Sequence, residues 1–390
     1  MDFQGDVSGK AEVLGALGSA YADRYEWDLA LSSYQNSLEL FMELGEVYNQ
    51  AQTIFNMAIV HKDKGDLATA SRMFEQSLSI FEDLRAEPCI ALVKLNQGII
   101  QMQRGRYDEA DAFMHDALAS FENMAAMPDL CEGYLAAARL KLCLGQQTEA
   151  GFYLSEAQTV IYHTDYQPTK AQLYNAWGEF FQAEKDYESA DGNYEKALAL
   201  ARTLCNPLEE AKALRNQGML ALAIGDYRES EDRLQQALAA FGRLRAIYDV
   251  VSLYDDLSAL YLAQKNYALA EEMAALLERQ SSLLGYTELN IKAFMALADC
   301  EAHTGRGERA AEDYAQALHL AKEHSDVLYL RTTQILSRKV IDFLEAVRPA
   351  EGMRCRSEDS LSPLRAKLQN GDYGELLDIL SLALESRKSC

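Results

Sequence analysis

The sequence predicts an all-α fold, an α-solenoid of eight helix pairs followed by a degenerate C-terminal capping repeat. Three observations predict it. The 390-residue chain repeats every forty residues from Ala11 onwards, eight times, without insertion or deletion. Two positions of the repeat always hold small residues, and apolar residues recur at helical spacing. A fixed period of this kind is typical of stacked repeats, in which each unit contacts only its neighbours.

The predicted organisation follows from the period. Residues 1–10 form an N-terminal extension, and residues 11–330 form the repeats. The eight repeats are residues 11–50, 51–90, 91–130, 131–170, 171–210, 211–250, 251–290 and 291–330.

Each repeat is predicted to be helix A, a tight turn, helix B and a short loop. Repeat positions 1, 4, 7, 8 and 11 form the apolar stripe of helix A, and positions 20, 24, 27, 28 and 31 form that of helix B. Positions 8 and 20 are small, which lets two helix axes approach closely. Glycines such as Gly65 and Gly225 supply the turn. Pro88, Pro128 and Pro207 stand at junctions between repeats, where a proline can open a helix.

The columns of small and aromatic residues resemble the tetratricopeptide repeat. Repeat five carries the pattern most completely, in Trp177-Gly178, Ala190, Tyr194 and Ala197. The forty-residue period is longer than the usual thirty-four. The chain is therefore similar to the long-helix subclass found in kinesin light chains, Leu-Gly-Asn adaptors and bacterial peptide-sensing regulators. The resemblance implies a right-handed solenoid whose helix A lines the concave face.

After Leu330 the period fails. Residues 331–390 are predicted to form a ninth helix, a loop at 348–362 and C-terminal capping helices that copy the repeat imperfectly. A terminal unit must cover an apolar face that no further repeat covers, so an atypical cap is expected. The alternative is that the loop regulates access to the solenoid.

The net charge of −23 argues against nucleic acid and anionic membranes as partners, since both require cationic groups. It leaves room for a basic protein or peptide, although the charge can also serve solubility alone. Residues 1–10 are polar and no apolar run is long enough for a membrane span, so we expect a cytoplasmic protein without membrane insertion. Cys131 and Cys300 stand at core positions and are expected to be buried free thiols. The oligomeric state is open.

No catalytic constellation, metal-ligand spacing or cofactor motif stands out. The six histidines lie in different repeats or on different helix faces. We therefore expect no enzyme activity, no metal and no cofactor.

The candidate partner-binding residues follow from the resemblance, which implies that positions 2, 5, 6, 9, 12 and 13 of helix A face the groove. Asparagines at position 6 are expected to hold the backbone of an extended peptide, because an amide both donates and accepts hydrogen bonds. Repeats two to four add a candidate apolar strip, and repeats five and six a polar strip. The complete set is Phe55, Asn56, Ile59, Leu95, Asn96, Ile99, Leu135, Arg139, Gln172, Asn175, Lys212, Arg215 and Asn216.

The apolar strip has two interpretations. Exposed apolar residues in a row indicate a partner site, but closely packed long helices would bury positions 5 and 9. For the whole protein, the first hypothesis is a scaffold or adaptor that captures a segment of a partner in the concave groove. The alternatives are a bacterial signalling regulator whose solenoid changes pitch on binding, and a structural assembly subunit.

Overall fold

A computed structural model of the chain describes residues 3–164 and 169–346. Seventeen helices and no strand occur within these two ranges. The helices are α1 (Phe3–Asp23), α2 (Trp27–Leu44), α3 (Val47–Lys64), α4 (Leu67–Asp83), α5 (Glu87–Gln103), α6 (Tyr107–Met124), α7 (Met127–Cys143), α8 (Gln147–Thr164), α9 (Lys170–Ala183), α10 (Tyr187–Thr203), α11 (Pro207–Ile224), α12 (Tyr227–Leu244), α13 (Ile247–Ala263), α14 (Tyr267–Leu284), α15 (Thr287–His303), α16 (Gly307–His324) and α17 (Asp326–Ala346).

Consecutive helices pack as antiparallel A and B pairs, which confirms the predicted all-α solenoid. The boundaries keep the forty-residue period. Every helix B begins at repeat position 17, and helices α3, α5, α7, α11, α13 and α15 each begin at position 37 of the preceding repeat. The exception is α9, which begins at Lys170, three residues later in the period, and is 14 residues long against 17 or 18 for those six helices.

The small column at position 8 lies against the aromatic column at position 24 of the same repeat. A Cβ atom on Gly178 would lie 2.5 Å from Cδ1 of Tyr194, and one on Gly18 would lie 2.7 Å from Cδ1 of Tyr34. Real Cβ contacts do not come this close. Helix A and helix B therefore approach each other closely where the glycine has no side chain, as the column of small residues predicts.

Both turns of the repeat use a left-handed residue at the helix C-terminus. Positive φ angles recur at positions 15 and 35, on glycines such as Gly65 (φ 93°) and also on Tyr25 (φ 60°), Lys185 (φ 63°) and Arg245 (φ 52°). A left-handed residue lets the next backbone N–H groups return to the last helical carbonyls. The turn geometry thus has a twenty-residue period, and it persists where the sequence offers no glycine.

The described chain divides into two compact units. Unit 1 consists of Met1–Gln103 and Tyr107–Val250, and unit 2 of Arg104–Arg106 and Val251–Cys390. Within unit 1, the first repeat contacts the ends of later repeats. The indole N–H of Trp27 donates to the carbonyl of Leu244 at 2.8 Å, and Asp28 pairs with Arg245 at 3.0 Å. We call these two contacts the closure contacts.

One buried cation in unit 1 is paired with two carboxylates. Lys141 has a side chain that is 8% exposed, and its Nζ lies 2.9 Å from Asp111 and 3.1 Å from Glu149. Burial alone would lower the pKa of Lys141, but hydrogen bonds with these two carboxylates outweigh it and raise the pKa. Cys131 and Cys300 are fully buried free thiols, as predicted.

The ends of the chain are only partly described. Helix α1 starts at Phe3, inside the segment predicted as an N-terminal extension, and α17 occupies the region of the predicted ninth helix. The predicted loop at 348–362 and the capping helices lie outside the described residues. Across the described ranges, no helix combines the length and hydropathy that crossing a bilayer requires.

Candidate partner-binding groove

The helix A residues of unit 1 face one another across a shared interior. Asp249, at the start of α13, interacts electrostatically with Lys212 and Arg215 and also with Asp63 of repeat two. Glu132 on α7 likewise interacts electrostatically with Lys62 on α3. Groups this far apart in sequence interact only if helix A lines a narrow groove, which is the arrangement that the resemblance implies.

The centre of the groove is a buried carboxylate. Glu209 is 1% exposed, and its Oε1 accepts a hydrogen bond from Nζ of Lys212 at 2.8 Å. Its Oε2 accepts one from Nδ2 of Asn175 at 3.1 Å. Burial disfavours the charged form, but Lys212, Arg139 and Asn175 outweigh it, so the pKa of Glu209 lies below its usual value. These contacts bring together three residues that the sequence predicted, around a fourth that it did not.

Two other carboxyl groups in the groove show the opposite shift. The pKa of Glu132 is raised, mainly because neighbouring groups displace water around it, although its side chain is exposed and Lys62 partly offsets the effect. The pKa of Asp249, which is half-buried, is raised for the same reason, against the attraction of Lys212 and Arg215. Crowding in the groove therefore disfavours the charged form of both carboxyl groups.

Amide side chains line this environment on several repeats. Asn96 is 8% exposed, donates to the carbonyl of Leu92 and accepts from Nζ of Lys62 at 2.8 Å. Asn216 donates to Glu179 on α9 at 3.1 Å, and Asn56 accepts from Gln52 at 3.3 Å. Each amide is thus held in place by a neighbour, most often a charged group.

Asn175 differs from these amides. It is 1% exposed, and its Oδ1 has no hydrogen-bond partner among the described residues. A buried amide oxygen without a partner costs about 1–3 kcal/mol. A donor from outside the protein reaches this oxygen only when the side chain turns towards the groove, because the atom is buried.

The remaining polar candidates lie where a groove ligand can meet them. Gln172, Lys212, Arg215 and Arg139 are all half-buried, on α9, α11 and α7. Lys212 and Arg139 act on Glu209, while Arg215 acts on Asp249.

The predicted apolar strip is not exposed. Phe55, Leu95 and Leu135, at position 5, are 6%, 2% and 1% exposed. The ring of Phe55 packs edge-to-face on Phe74 of α4, with centroids 5.6 Å apart. Position 5 of these repeats therefore belongs to the helix A–helix B core, as close packing implies, whereas an apolar strip at position 9 stays a prediction. Ile59 and Ile99 are half-buried.

The sequence analysis did not predict Glu209 and Asp249. Each lies two residues before the first position of the repeat to whose helix A it belongs. Both stand at repeat position 39, where five of the seven junctions carry Asn, Asp, Thr or Glu. This polar column is visible when the repeats are aligned, so it is the sequence signal that indicates both residues. The described residues contain no group of three or more histidines, cysteines and carboxylates arranged to hold a metal ion.

Comparison with known proteins matches the repeats and the fold. A family model described as tetratricopeptide repeat matches residues 9–83 and 169–243. No curated protein matches the chain significantly.

Three solved structures are similar in fold. A Rap protein complexed with competence and sporulation factor has a TM-score of 0.65 and 17% identity, over 98% of this chain and 100% of that one. A STAND signal-transduction ATPase with a tetratricopeptide repeat sensor, from Pyrococcus horikoshii, has a TM-score of 0.50 and 17% identity, over 90% of this chain and 54% of that one. The Rap conjugation gene regulator of plasmid pLS20, in complex with the Phr* peptide, has a TM-score of 0.50 and 18% identity, over 75% and 74%.

Identities this low establish the fold alone, and membership of the long-helix subclass stays a prediction. The family match, the helix pairs and the packing of position 8 on position 24 agree with one another. The chain therefore carries tetratricopeptide repeats at residues 9–83 and 169–243 and has the fold of a tetratricopeptide repeat solenoid.

Proposed function

We propose that this protein is a non-enzymatic interaction scaffold, cytoplasmic, whose groove in unit 1 holds an extended segment of a partner protein. The tetratricopeptide fold is in general non-catalytic and serves protein interaction. The observation that carries the proposal is the set of ordered amides, above all the buried Oδ1 of Asn175, which lacks a partner. An extended peptide offers a backbone N–H group of any sequence to such an acceptor.

The groove charges define the chemistry of the partner. Glu209 is held as a carboxylate by groups already in place, whereas the crowding of neighbouring groups disfavours the charged form of Asp249 and Glu132. A basic side chain placed near either of these two would relieve that cost. We therefore propose a partner segment that contributes lysine or arginine, in agreement with the acidic composition.

Affinity purification from the native cell tests the proposal. The triple variant Asn96→Ala/Asn175→Ala/Asn216→Ala removes the amides, and Asn36→Ala/Asn123→Ala, at exposed helix B positions, is the matched control. We expect a partner, identified by mass spectrometry, that the control retains and the triple variant loses, with unchanged helical circular dichroism. Its segment should then crosslink to groove residues. Equal recovery by both variants would refute the groove as the site.

A second candidate function is a partner-responsive regulator, and the closure contacts favour it. They join α2 to the end of α12 within unit 1 through one neutral hydrogen bond and one exposed ion pair. Both contacts are weak, because the hydrogen bond is neutral and the ion pair is exposed to solvent, so that ligand binding in the groove can shift their population. One structural neighbour is a conjugation gene regulator in complex with the Phr* peptide, and another is a Rap protein complexed with competence and sporulation factor, properties stated for those proteins.

Tryptophan fluorescence separates the two functions. The chain has two tryptophans, so Trp177→Phe leaves Trp27, at the closure contacts, as the sole indole. A rigid scaffold keeps Trp27 emission constant when the partner segment binds. A red shift on binding, reproduced by Arg245→Glu without ligand, would support the regulator.

A further inference from the structure

A second cleft opens on the other side of α9, between α8 and α10, with a volume of about 1080 Å³. The face of α9 that lines it carries Leu173, Tyr174, Trp177 and Phe181. Successive residues of a helix are about 100° apart, so this face lies roughly opposite the groove residues of α9. None of the thirteen lining residues belongs to the predicted groove.

The end of α8 lines the cleft on one side. Helix α9 begins at Lys170, and Ile161, Tyr162 and His163 of α8 belong to the lining. Tyr162 is 83% exposed.

Aromatic side chains form the floor and are fixed in place. The indole N–H of Trp177 donates to Oε1 of Gln158 at 3.1 Å, which ties α9 to α8. The Trp177 ring stacks on Phe181 with centroids 5.6 Å apart and an interplanar angle of 24°. Rigid, partly exposed Trp and Tyr side chains bury large areas at little entropic cost and dominate many protein interfaces.

The described lining of the cleft is basic, whereas the protein is acidic. Lys170, Lys196 and His163 line the cleft, and none of its described lining residues is acidic, although the chain carries a net charge of −23. Nζ of Lys196 lies 5.9 Å from the centroid of the Tyr174 ring, so a cation borders the aromatic floor directly. This arrangement is complementary to an apolar side chain flanked by carboxylates.

We propose that this cleft is a second binding site, which takes an acidic peptide segment of a partner protein and anchors it through one aromatic or aliphatic side chain. Its volume is close to the upper end of the usual range of about 300–1,000 Å³ for small-ligand pockets, and the aromatic floor beside lysines favours a peptide. The rest of the acidic surface repels such a segment and restricts it to this cleft. The two sites then differ in sign, with basic segments in the groove and acidic ones in the cleft.

The test uses the full chain and fluorescein-labelled decapeptides in which one central Phe, Trp, Tyr or Leu is flanked by Glu and Asp. One reference set has lysine in place of every acid, and another has serine in place of the anchor. Fluorescence anisotropy measures Kd. We expect at least one acidic peptide to bind, more weakly at high salt, while both reference sets bind at least tenfold more weakly.

Charge reversal locates the site. Lys170→Glu/Lys196→Glu is expected to weaken acidic-peptide binding at least tenfold, while Lys265→Glu/Lys322→Glu, two exposed sites elsewhere with the same change in net charge, should alter it less than twofold. In a Trp27→Phe background, Trp177 is the only indole, and its emission should change on binding. The groove triple variant should bind these peptides normally, which separates failure of this proposal from failure of the groove proposal.

Several outcomes overturn the proposal. They are absence of binding by every acidic peptide at 1 mM, equal effects of the two charge reversals, and loss of binding in the groove triple variant. Sedimentation that shows a dimer disrupted by Lys170→Glu/Lys196→Glu would identify a second copy of this chain as the occupant and would likewise overturn it.

Discussion

Replacement of Gly178 by alanine tests the packing that defines the repeat. The new Cβ would lie 2.5 Å from Cδ1 and 2.9 Å from Cζ of Tyr194, so the ring must move by about 1 Å to reach ordinary contact. Tyr194 is 1% exposed, and its hydroxyl donates to Oε1 of Gln182 at 2.9 Å. Movement of the ring therefore strains the core and weakens a buried hydrogen bond.

The magnitude follows from opposing terms. Overpacking a core costs about 1–3 kcal/mol, and loss of the Tyr194 hydrogen bond adds about 1 kcal/mol. Alanine in a helix interior is more stabilising than glycine by about 1 kcal/mol, which offsets part of this cost. The net expectation is that Gly178→Ala lowers the free energy of unfolding of repeat five by about 1–3 kcal/mol.

Gly192 is the matched control on the partner helix α10. A Cβ atom there meets no atom within 4 Å, so Gly192→Ala keeps only the propensity gain and should stabilise by about 0.5–1 kcal/mol. The same chemical change thus has opposite signs at two positions of one repeat.

Native-state hydrogen exchange of the α9 and α10 amides is the suitable assay, because it measures local opening free energies in a repeat protein that need not unfold in two states. We expect protection to fall about tenfold or more in Gly178→Ala and to rise a few-fold in Gly192→Ala, since 1.4 kcal/mol corresponds to a factor of ten. In repeat eight, Ala298 stands at position 8 opposite Tyr314 at position 24. Stabilisation of both variants would mean that helices A and B of repeat five move apart and hold alanine against tyrosine as repeat eight does. The reasoning would then be wrong.

Three further predictions concern turns, buried charge and pH. Lys185→Gly should stabilise the α9–α10 turn by up to about 1 kcal/mol, measured by thermal unfolding, because Lys185 holds φ at 63° without being glycine. Lys141→Met should cost only about 1 kcal/mol in urea unfolding, because its two carboxylate partners are about half exposed and can hydrate once the ammonium is gone. Burial and the nearby Asp313 raise the pKa of Glu301 from 4.5 to about 7, so its protonated form stabilises repeat eight below pH 4.5 and that contribution is lost as the pH rises through about 7. Amide protection in α15 and α16 should therefore fall between pH 5 and pH 7.5, after correction for the intrinsic exchange rate, and Glu301→Gln should remove most of that fall.

The period of the sequence predicts what is periodic in the structure. Helix pairs, the packing of Gly178 on Tyr194 and the buried Cys131 each follow from a column that recurs in every repeat. A repeat position predicts the burial of a residue poorly where the surroundings of that position differ between repeats. By its repeat position Phe55 is expected to face the groove, but its ring packs against the ring of Phe74 in the core.

The functional features lie in departures from the period, which is why they were harder to predict. Asn175 stands one position before the column that holds Asn96 and Asn216, yet the 3.6-residue turn brings it to the same groove. Glu209 precedes its repeat, and only the superposition of successive repeats places it between Asn175 and Lys212.

The cleft beside α9 leaves no trace in the columns, since residues 131–210 keep the forty-residue spacing without a gap. Its lining joins residues of α8, α9 and α10 that stand at different repeat positions, among them Tyr162, Lys170 and Trp177. Each of these is an ordinary helix residue when it is read in its own column. Only the packing of three helices brings the aromatic and basic side chains together, so a cleft of this kind cannot be predicted from the period.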